Sequence, residues 1–199
     1  MLALGTSAPT NQEDRESPST EITCPRCKTA ANEDVEFCPM CGGKCKSQNL
    51  KDHEPTRLVC SDCDFIFYLD PKLVACAIVE KEGKIVLLKR DIEPQKGKWV
   101  MPGGYVDRGE VVEDAALRET EEECGLKIRL KNLLGVYSYP GKLEVVIVYT
   151  AEVLSGDLIV GDETQAAKLF KTGDIPWEEL AFESTQAALR DYCKRGENI

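Results

Sequence analysis

Glu119, Glu122 and Glu123 stand at i, i+3 and i+4 in the run Arg118-Glu119-Thr120-Glu121-Glu122-Glu123-Cys124-Gly125-Leu126. On a helix this spacing puts three carboxylates on one face. Like charges so placed weaken a helix, and toward its C-terminus they also oppose the macrodipole. A sequence that accepts both costs has a use for a cation there, and clustered oxygen ligands suit Mg²⁺ or Mn²⁺ rather than zinc. A bare run of glutamates is more simply a solvated acidic face. Here Arg118 stands beside the first Glu, Gly125 closes the helix, and Gly103-Gly104 and a tight loop lead into it from a strand.

The elements that must carry these residues follow from patterning. Residues 73–80 and 84–90 are apolar and β-branched around Glu82-Gly83, which predicts a hairpin. Residues 99–102 predict a short strand ending at a Gly103-Gly104 turn. Val112, Ala115, Ala116 and Thr120 recur at helical spacing between Glu110 and Cys124, with Gly125 as the stop. Residues 128–139 and 143–154 predict two strands joined near Pro140-Gly141, residues 168–171 a short strand, and residues 178–195 an amphipathic helix. Strands and helices mix without a regular βαβ beat, which favours α+β or an α/β/α sandwich.

The chain has 199 residues, 42% of them hydrophobic and 30% charged, with a net charge of −10. That suits a soluble protein and disfavours unassisted binding to nucleic acid or an anionic membrane, which call for a basic footprint. Acidic proteins that handle phosphates usually do so through divalent cations. The single histidine, His53, lies in a cysteine-rich region, so a Ser-His-Asp or Cys-His mechanism would depend on it. No stretch reaches the ~18 apolar residues of a membrane span, and the first residues lack a basic n-region and a full apolar core. The expected setting is reducing and cytoplasmic, where paired cysteines are metal ligands more often than disulfides.

Of 10 cysteines, Cys24, Cys27, Cys38, Cys41, Cys45, Cys60 and Cys63 crowd one stretch. Three Cys-x-x-Cys knuckles result, each able to point two thiolates at one tetrahedral zinc. One partition groups Cys24, Cys27, Cys38 and Cys41, leaving Cys60 and Cys63 to Cys45 and His53. The other groups Cys38, Cys41, Cys60 and Cys63, leaving Cys24 and Cys27 to Cys45 and His53 or free. Eight candidate ligands fit two zinc ions. At this net charge the module reads as a structural staple rather than a nucleic-acid ribbon. Residues 1–22 are polar and predict a flexible tail, residues 23–69 the zinc module, and residues 70–199 the main domain. Cys76 and Cys124 read as packing residues.

The run from Gly104 to Leu126 resembles the box of the Nudix hydrolases: Gly, five residues, Glu, seven residues, Arg-Glu-apolar-any-Glu-Glu-any-Gly-apolar. Gly104, Glu110, Arg118, Glu119, Glu122, Glu123, Gly125 and Leu126 occupy its fixed positions. Thr120 departs from the usual aliphatic residue but keeps a methyl group and bulk. Flanking segments, including residues 89–110 and 136–142, resemble a subgroup with an N-terminal zinc ribbon, so the resemblance covers the chain from about Thr23 onward.

This resemblance implies an α/β (α+β) fold, a Nudix-type α/β/α sandwich with a mixed sheet after a small zinc ribbon. It also implies Cys38, Cys41, Cys60 and Cys63 as one zinc site. The implied activity is metal-dependent hydrolysis of a nucleoside diphosphate linked to another group, such as ADP-ribose, FAD or a related dinucleotide, releasing AMP. Glu119, Glu122 and Glu123 would hold the Mg²⁺ or Mn²⁺ ions, with Glu110 at an outer position. Arg118 would orient the glutamates, and Gly104, beside Gly103, would give a carbonyl and room for close approach. One of the glutamates or Glu163, in Gly161-Asp162-Glu163, would activate water. Arg90, following Lys89, is a candidate for holding phosphates, and Trp99, Tyr139 and Phe182 for stacking a ring. Pro140 lies close to where ADP-ribose-cleaving members carry a proline. Relatives are often homodimers. The rival readings are a nucleoside-triphosphate pyrophosphatase, which releases inorganic pyrophosphate, and a non-catalytic sensor or RNA-directed adaptor.

Overall fold

The computed structural model describes residues 35–68 and 70–196. Cys24, Cys27 and the tail expected over 1–22 lie outside the described residues. Contacts divide the chain into two compact units, residues 1–69 and 70–199.

In the first unit, β1 (Cys45–Gln48), β2 (Arg57–Cys60) and β3 (Ile66–Phe67) form an antiparallel sheet in that order. A bridge between Phe37 and Lys44 closes the knuckle of Cys38 and Cys41. Apart from Cys38 and Cys60, the buried apolar residues described here are Leu58 and Val59. So small a core needs a staple to hold it.

The second unit is built on one mixed sheet. Its strands are β4 (Lys72–Lys81), β5 (Lys84–Arg90), β6 (Trp99–Val100), β7 (Gly103–Tyr105), β8 (Lys127–Tyr137), β9 (Glu144–Ser155) and β10 (Thr164–Phe170). The main path runs β10-β5-β4-β9-β8, with β4 and β9 parallel and the other pairs antiparallel. The β4–β5 hairpin stays closed only near its turn, at Glu80↔Ile85 and Lys81↔Lys84. Beyond that the two strands part. Residues 99–105 fill the gap, β6 pairing with β5 and β7 with β4, while the Ala77 amide donates to the Pro102 carbonyl at 3.0 Å. Gly103 and Gly104 therefore lie in a strand rather than in the turn their composition predicts.

Helices α1 (Val112–Cys124) and α2 (Glu183–Gly196) complete the sandwich. Side chains of a strand alternate between its faces. On β4 and β5, Ile78, Ile85 and Leu87 pack with Ala188 and Leu189 of α2. Ala77, Val79, Val86 and Leu88 turn the other way and pack with Cys124 at the end of α1. Ala115 and Ala116 of α1 meet Ala75 and Tyr149 in a third cluster. Small residues on α1 let the helix lie close to the strands. The last helix begins at Glu183 rather than 178 because the preceding residues serve the sheet: Leu180 bridges to Trp99, and the Ala181 amide donates to the Trp99 carbonyl at 2.8 Å. Among the described residues, no helix is long and apolar enough to cross a membrane.

Candidate active site

The glutamate face of α1 is organised by one cation. Arg118 grips Glu110 with a two-point fork, Nε to Oε1 at 2.8 Å and Nη2 to Oε2 at 2.9 Å. Its Nη1 donates to Glu119 at 2.7 Å and to Glu122 at 3.1 Å, and Nη2 reaches the Tyr105 carbonyl at 3.2 Å. Bidentate charge-assisted bonds of this kind fix geometry as well as add energy. The second oxygen of Glu110 also accepts from the Asp107 amide at 2.9 Å. The Arg118 guanidinium, helped by that amide, holds the Glu110 carboxyl down to about 2. Both oxygens of Glu110 are thus held by protein donors.

Glu123 lies apart from this fork. Its carboxylate accepts from the Gly103 amide at 2.9 Å. Burial pushes its pKa up to about 7; the charges of Glu119 and Glu163 push the same way, and the Gly103 amide and Arg90 pull back. Burial also raises Glu119. The two glycines of β7 make this proximity feasible. A Cβ on Gly104 would strike the Glu119 carboxyl group, and one on Gly103 (φ 147) would strike the β4 backbone at Ala75 and Cys76. Burial pushes the nearby Cys76 thiol up and raises Cys124 to about 11, which suits packing and not nucleophilic attack.

Arg90 and Glu163 lie within electrostatic reach of Glu123, and both charges act on it. Arg90 stacks over Phe182 at 5.1 Å, and its Nε donates to the Pro94 carbonyl at 2.9 Å. Trp99 is a core residue instead: it is 5% exposed and packs edge-on against Phe170 at 5.0 Å. So buried a ring has no open face for a base. Pro140 is exposed in the β8–β9 turn, and no hydrogen bond joins it to the carboxylates among the described residues.

Backbone groups are what the residue pattern does not show. The amides of Gly103 and Asp107 and the carbonyl of Tyr105 hold three of the charged side chains, yet nothing in their side-chain types marks them. Thr120, the departure from the box, is fully buried and donates its hydroxyl to the Ala116 carbonyl at 2.7 Å.

In the first unit, the Sγ atoms of Cys38, Cys41, Cys60 and Cys63 lie within 4.8 Å of one another. The pair Cys38–Cys63 is at 3.7 Å, and Cys41–Cys60 and Cys41–Cys63 are both at 3.4 Å. Tetrahedral thiolates around a zinc ion stand about 3.8 Å apart. Amides of Met40, Gly43 and Asp62 point at the sulfurs of Cys38, Cys41 and Cys60, each at 3.4 Å. The Asp62 amide draws the Cys60 thiol down to about 7. The donor set therefore fits zinc in the second of the two partitions. Cys45 faces Cys60 across β1 and β2 but is not in the cluster, and His53 is exposed in the turn between them. Among the described residues this is the one group of ligands that closes to such spacing; the carboxylates of α1 do not.

A mixed sheet between two helices, with an arginine-braced acidic helix end, defines an α+β domain of the hydrolase class. A family profile described as NUDIX domain matches residues 70–191, and a zinc-ribbon profile described as Nudix N-terminal matches residues 36–69. The chain belongs to the Nudix family and is a Nudix hydrolase. It is 40% identical over 131 residues to an ADP-ribose pyrophosphatase of Methanocaldococcus jannaschii, covering 64% of this chain and 76% of that protein. It is 26% identical over 144 residues to the NAD-capped RNA hydrolase NudC of Vibrio vulnificus, covering 71% of this chain and 53% of that protein. The chain thus spans about half the length of that relative. Among solved structures, a NUDIX hydrolase from Nitrosomonas europaea superposes with a TM-score of 0.78 at 32% identity, over 82% of this chain and 93% of that one.

Proposed function

We propose that this Nudix hydrolase cleaves the pyrophosphate link of a nucleoside diphosphate joined to a second group, with ADP-ribose as the leading substrate and AMP as a product. The observation that carries this reading is the 40% identity to a protein named ADP-ribose pyrophosphatase over 76% of its length. It is joined here to an uninterrupted set of Arg118, Glu119, Glu122 and Glu123. Glu119, Glu122 and Glu123 would hold Mg²⁺ or Mn²⁺. The chemistry such ions supply when bound is neutralisation of diphosphate charge and a lower pKa for water.

The chain's own groups do the rest. Arg118 spaces the glutamates and, with Glu110, fixes the loop before α1. Gly103 and Gly104 keep the sheet edge clear for a phosphate to approach. Arg90 adds positive charge at the entrance beside Glu123. Glu163, exposed and on the facing segment, takes the proton of the attacking water. In the first unit, a single zinc on Cys38, Cys41, Cys60 and Cys63 holds the ribbon. NAD-capped RNA is the second reading, supported by the NudC relatives; the net charge of −10 weighs against it.

The test is release of AMP from ADP-ribose, FAD, NADH, coenzyme A, a diadenosine polyphosphate, NAD-capped RNA and deoxynucleoside triphosphates, each with Mg²⁺ or Mn²⁺. ADP-ribose is expected to give the highest kcat/KM. Release of inorganic pyrophosphate from triphosphates as the dominant reaction would replace this reading with the triphosphate one.

A further inference from the structure

The segment between β9 and β10 does more than join two strands. It runs back along the end of α1, where the Ile159 amide donates to the Cys124 carbonyl and the Gly161 amide to the Glu123 carbonyl, both at 3.1 Å. These carbonyls are among those a helix end leaves without intrahelical partners. The approach is close enough to demand glycine. At Gly161 a Cβ would stand 2.8 Å from the Glu123 carbonyl oxygen and 2.9 Å from that of Glu122. Both obstacles are helix backbone, which cannot swing aside as a side chain can.

Glu163 follows two residues later. Its carbonyl accepts from the Asp91 amide at 2.8 Å, and the Thr164 amide closes the turn onto the Gly161 carbonyl at 3.1 Å. The Asp91 carboxylate accepts from Gln165 Nε2 at 2.9 Å and pairs with Lys96 at 2.9 Å. Among the described residues the Glu163 carboxylate has no hydrogen-bond partner of its own. Its location is therefore set by the backbone on either side of it, tied to the helix end by Gly161 and to the β5–β6 loop by Asp91.

We infer that Gly161 and Asp91 are positioning residues that fix Glu163 against the glutamate face of α1. This rests on the reading of Glu163 as the residue that takes the proton from water. One tether comes from the same carbonyl-bearing turn that carries Glu122 and Glu123, so base and glutamates share a frame. A displacement of about 1 Å in such a group costs up to about a hundredfold in rate.

The test is steady-state kinetics of the full chain with ADP-ribose and Mg²⁺, and with FAD as a second probe. Gly161→Ala is expected to lower kcat roughly tenfold to a hundredfold with KM little changed. In a Glu163→Gln background the same substitution should cost almost nothing more, since the group it misplaces is already gone. Asp91→Ala should show a smaller loss with the same non-additivity. Asp91→Asn, which keeps an acceptor for Gln165, should restore most of the rate, and this pair carries the test if Gly161→Ala does not fold. An equal loss from Gly161→Ala with and without Glu163 would overturn the inference, because the substitution would then act through the α1 glutamates. So would full activity of Gly161→Ala beside a slow Glu163→Gln. A Glu163→Gln enzyme at the parental rate would remove the assignment of the base itself, and this inference with it.

Discussion

The two units of the chain gather ligand atoms in opposite ways. In the ribbon, four sulfurs already lie within 4.8 Å of one another on knuckles whose amides face them. On α1 the glutamates are divided between two protein donors: Arg118 takes Glu119 and Glu122, and the Gly103 amide takes Glu123. Four thiolates closed on an ion leave no coordination position for substrate or water, which is the mark of a structural site. Carboxylates kept apart leave positions open, which is what turnover needs. The difference also shows in what each region rests on. The ribbon has Leu58 and Val59 for a core, while α1 lies on a sheet buried on both faces.

The largest effect expected from this contrast is on the ribbon. Structural zinc contributes an apparent ~10–16 kcal/mol to the folding of small modules. Stripping zinc, or Cys60→Ser, should unfold the first unit, followed as a lost low-temperature transition and as zinc release to a colorimetric chelator. Hydrolysis of ADP-ribose by the second unit should survive. Loss of activity in step with zinc would break the comparison, showing that the two units work as one.

Next in size is the glutamate face. Glu122→Gln and Glu123→Gln should each lower kcat by at least about a hundredfold, about 2.7 kcal/mol of transition-state stabilisation. Their melting temperatures should hold or rise, since the like-charge spacing on the helix is relieved. A variant that lost stability and activity together would place these glutamates with the cysteines, as residues the fold depends on.

How far these two regions were legible from residue types follows from the same contrast. Knuckle spacing and the helical glutamate spacing are both local patterns, and each points to its donor set. The choice between the two cysteine partitions is not local. It depends on β2 folding back so that Cys60 comes within reach of Cys41, and spacing along the chain does not encode that return. The strand character of Gly103 and Gly104 was hidden for a similar reason. Two glycines read as a turn, yet here they are what allows β7 to enter the gap between β4 and β5 and lie under Glu119. A tryptophan such as Trp99 can stack a ring but is more usually a core residue, and the edge of Phe170 against it makes it the latter.

Protonation sharpens the contrast within the active face. Glu123 is held near 7 by burial, against 4.5 for an ordinary glutamate, so its neutral form is the one that suits the fold. That contribution to stability is complete below about 4.5 and is lost as pH rises through about 7. Glu110 runs the other way: held down to about 2, it contributes above 4.5 and its share is lost as pH falls through about 2. In buffer free of Mg²⁺ and with zinc retained, the melting temperature should therefore fall between about pH 5.5 and about pH 8, and Glu123→Gln should flatten that slope. Mg²⁺ should restore more stability at the upper end, where Glu123 is already ionised. Parallel profiles for the parent and Glu123→Gln would mean that this carboxyl is ordinary and the face is wetter than its burial indicates.

The smallest effect belongs to Thr120, which α1 turns into the core rather than toward the ligand-bearing carboxylates. It is fully buried, and its hydroxyl shares the Ala116 carbonyl at 2.7 Å with the helix's own amide. Thr120→Val exchanges that hydroxyl for a methyl group of equal bulk and leaves the carbonyl its amide partner. A single hydrogen bond of this kind is worth about 1 kcal/mol, set here against the gain from burying one more apolar group. The melting temperature should move by no more than about 4 °C in either direction, and kcat should stay at the parental value. The two readouts separate packing of the helix from presentation of its carboxylates. A stable variant with a slow kcat would show that packing against the sheet sets the angle at which Glu119 and Glu123 are presented. The usual aliphatic residue at this position would then be part of the catalytic geometry, and the threonine a reason for this chain to differ from its relatives.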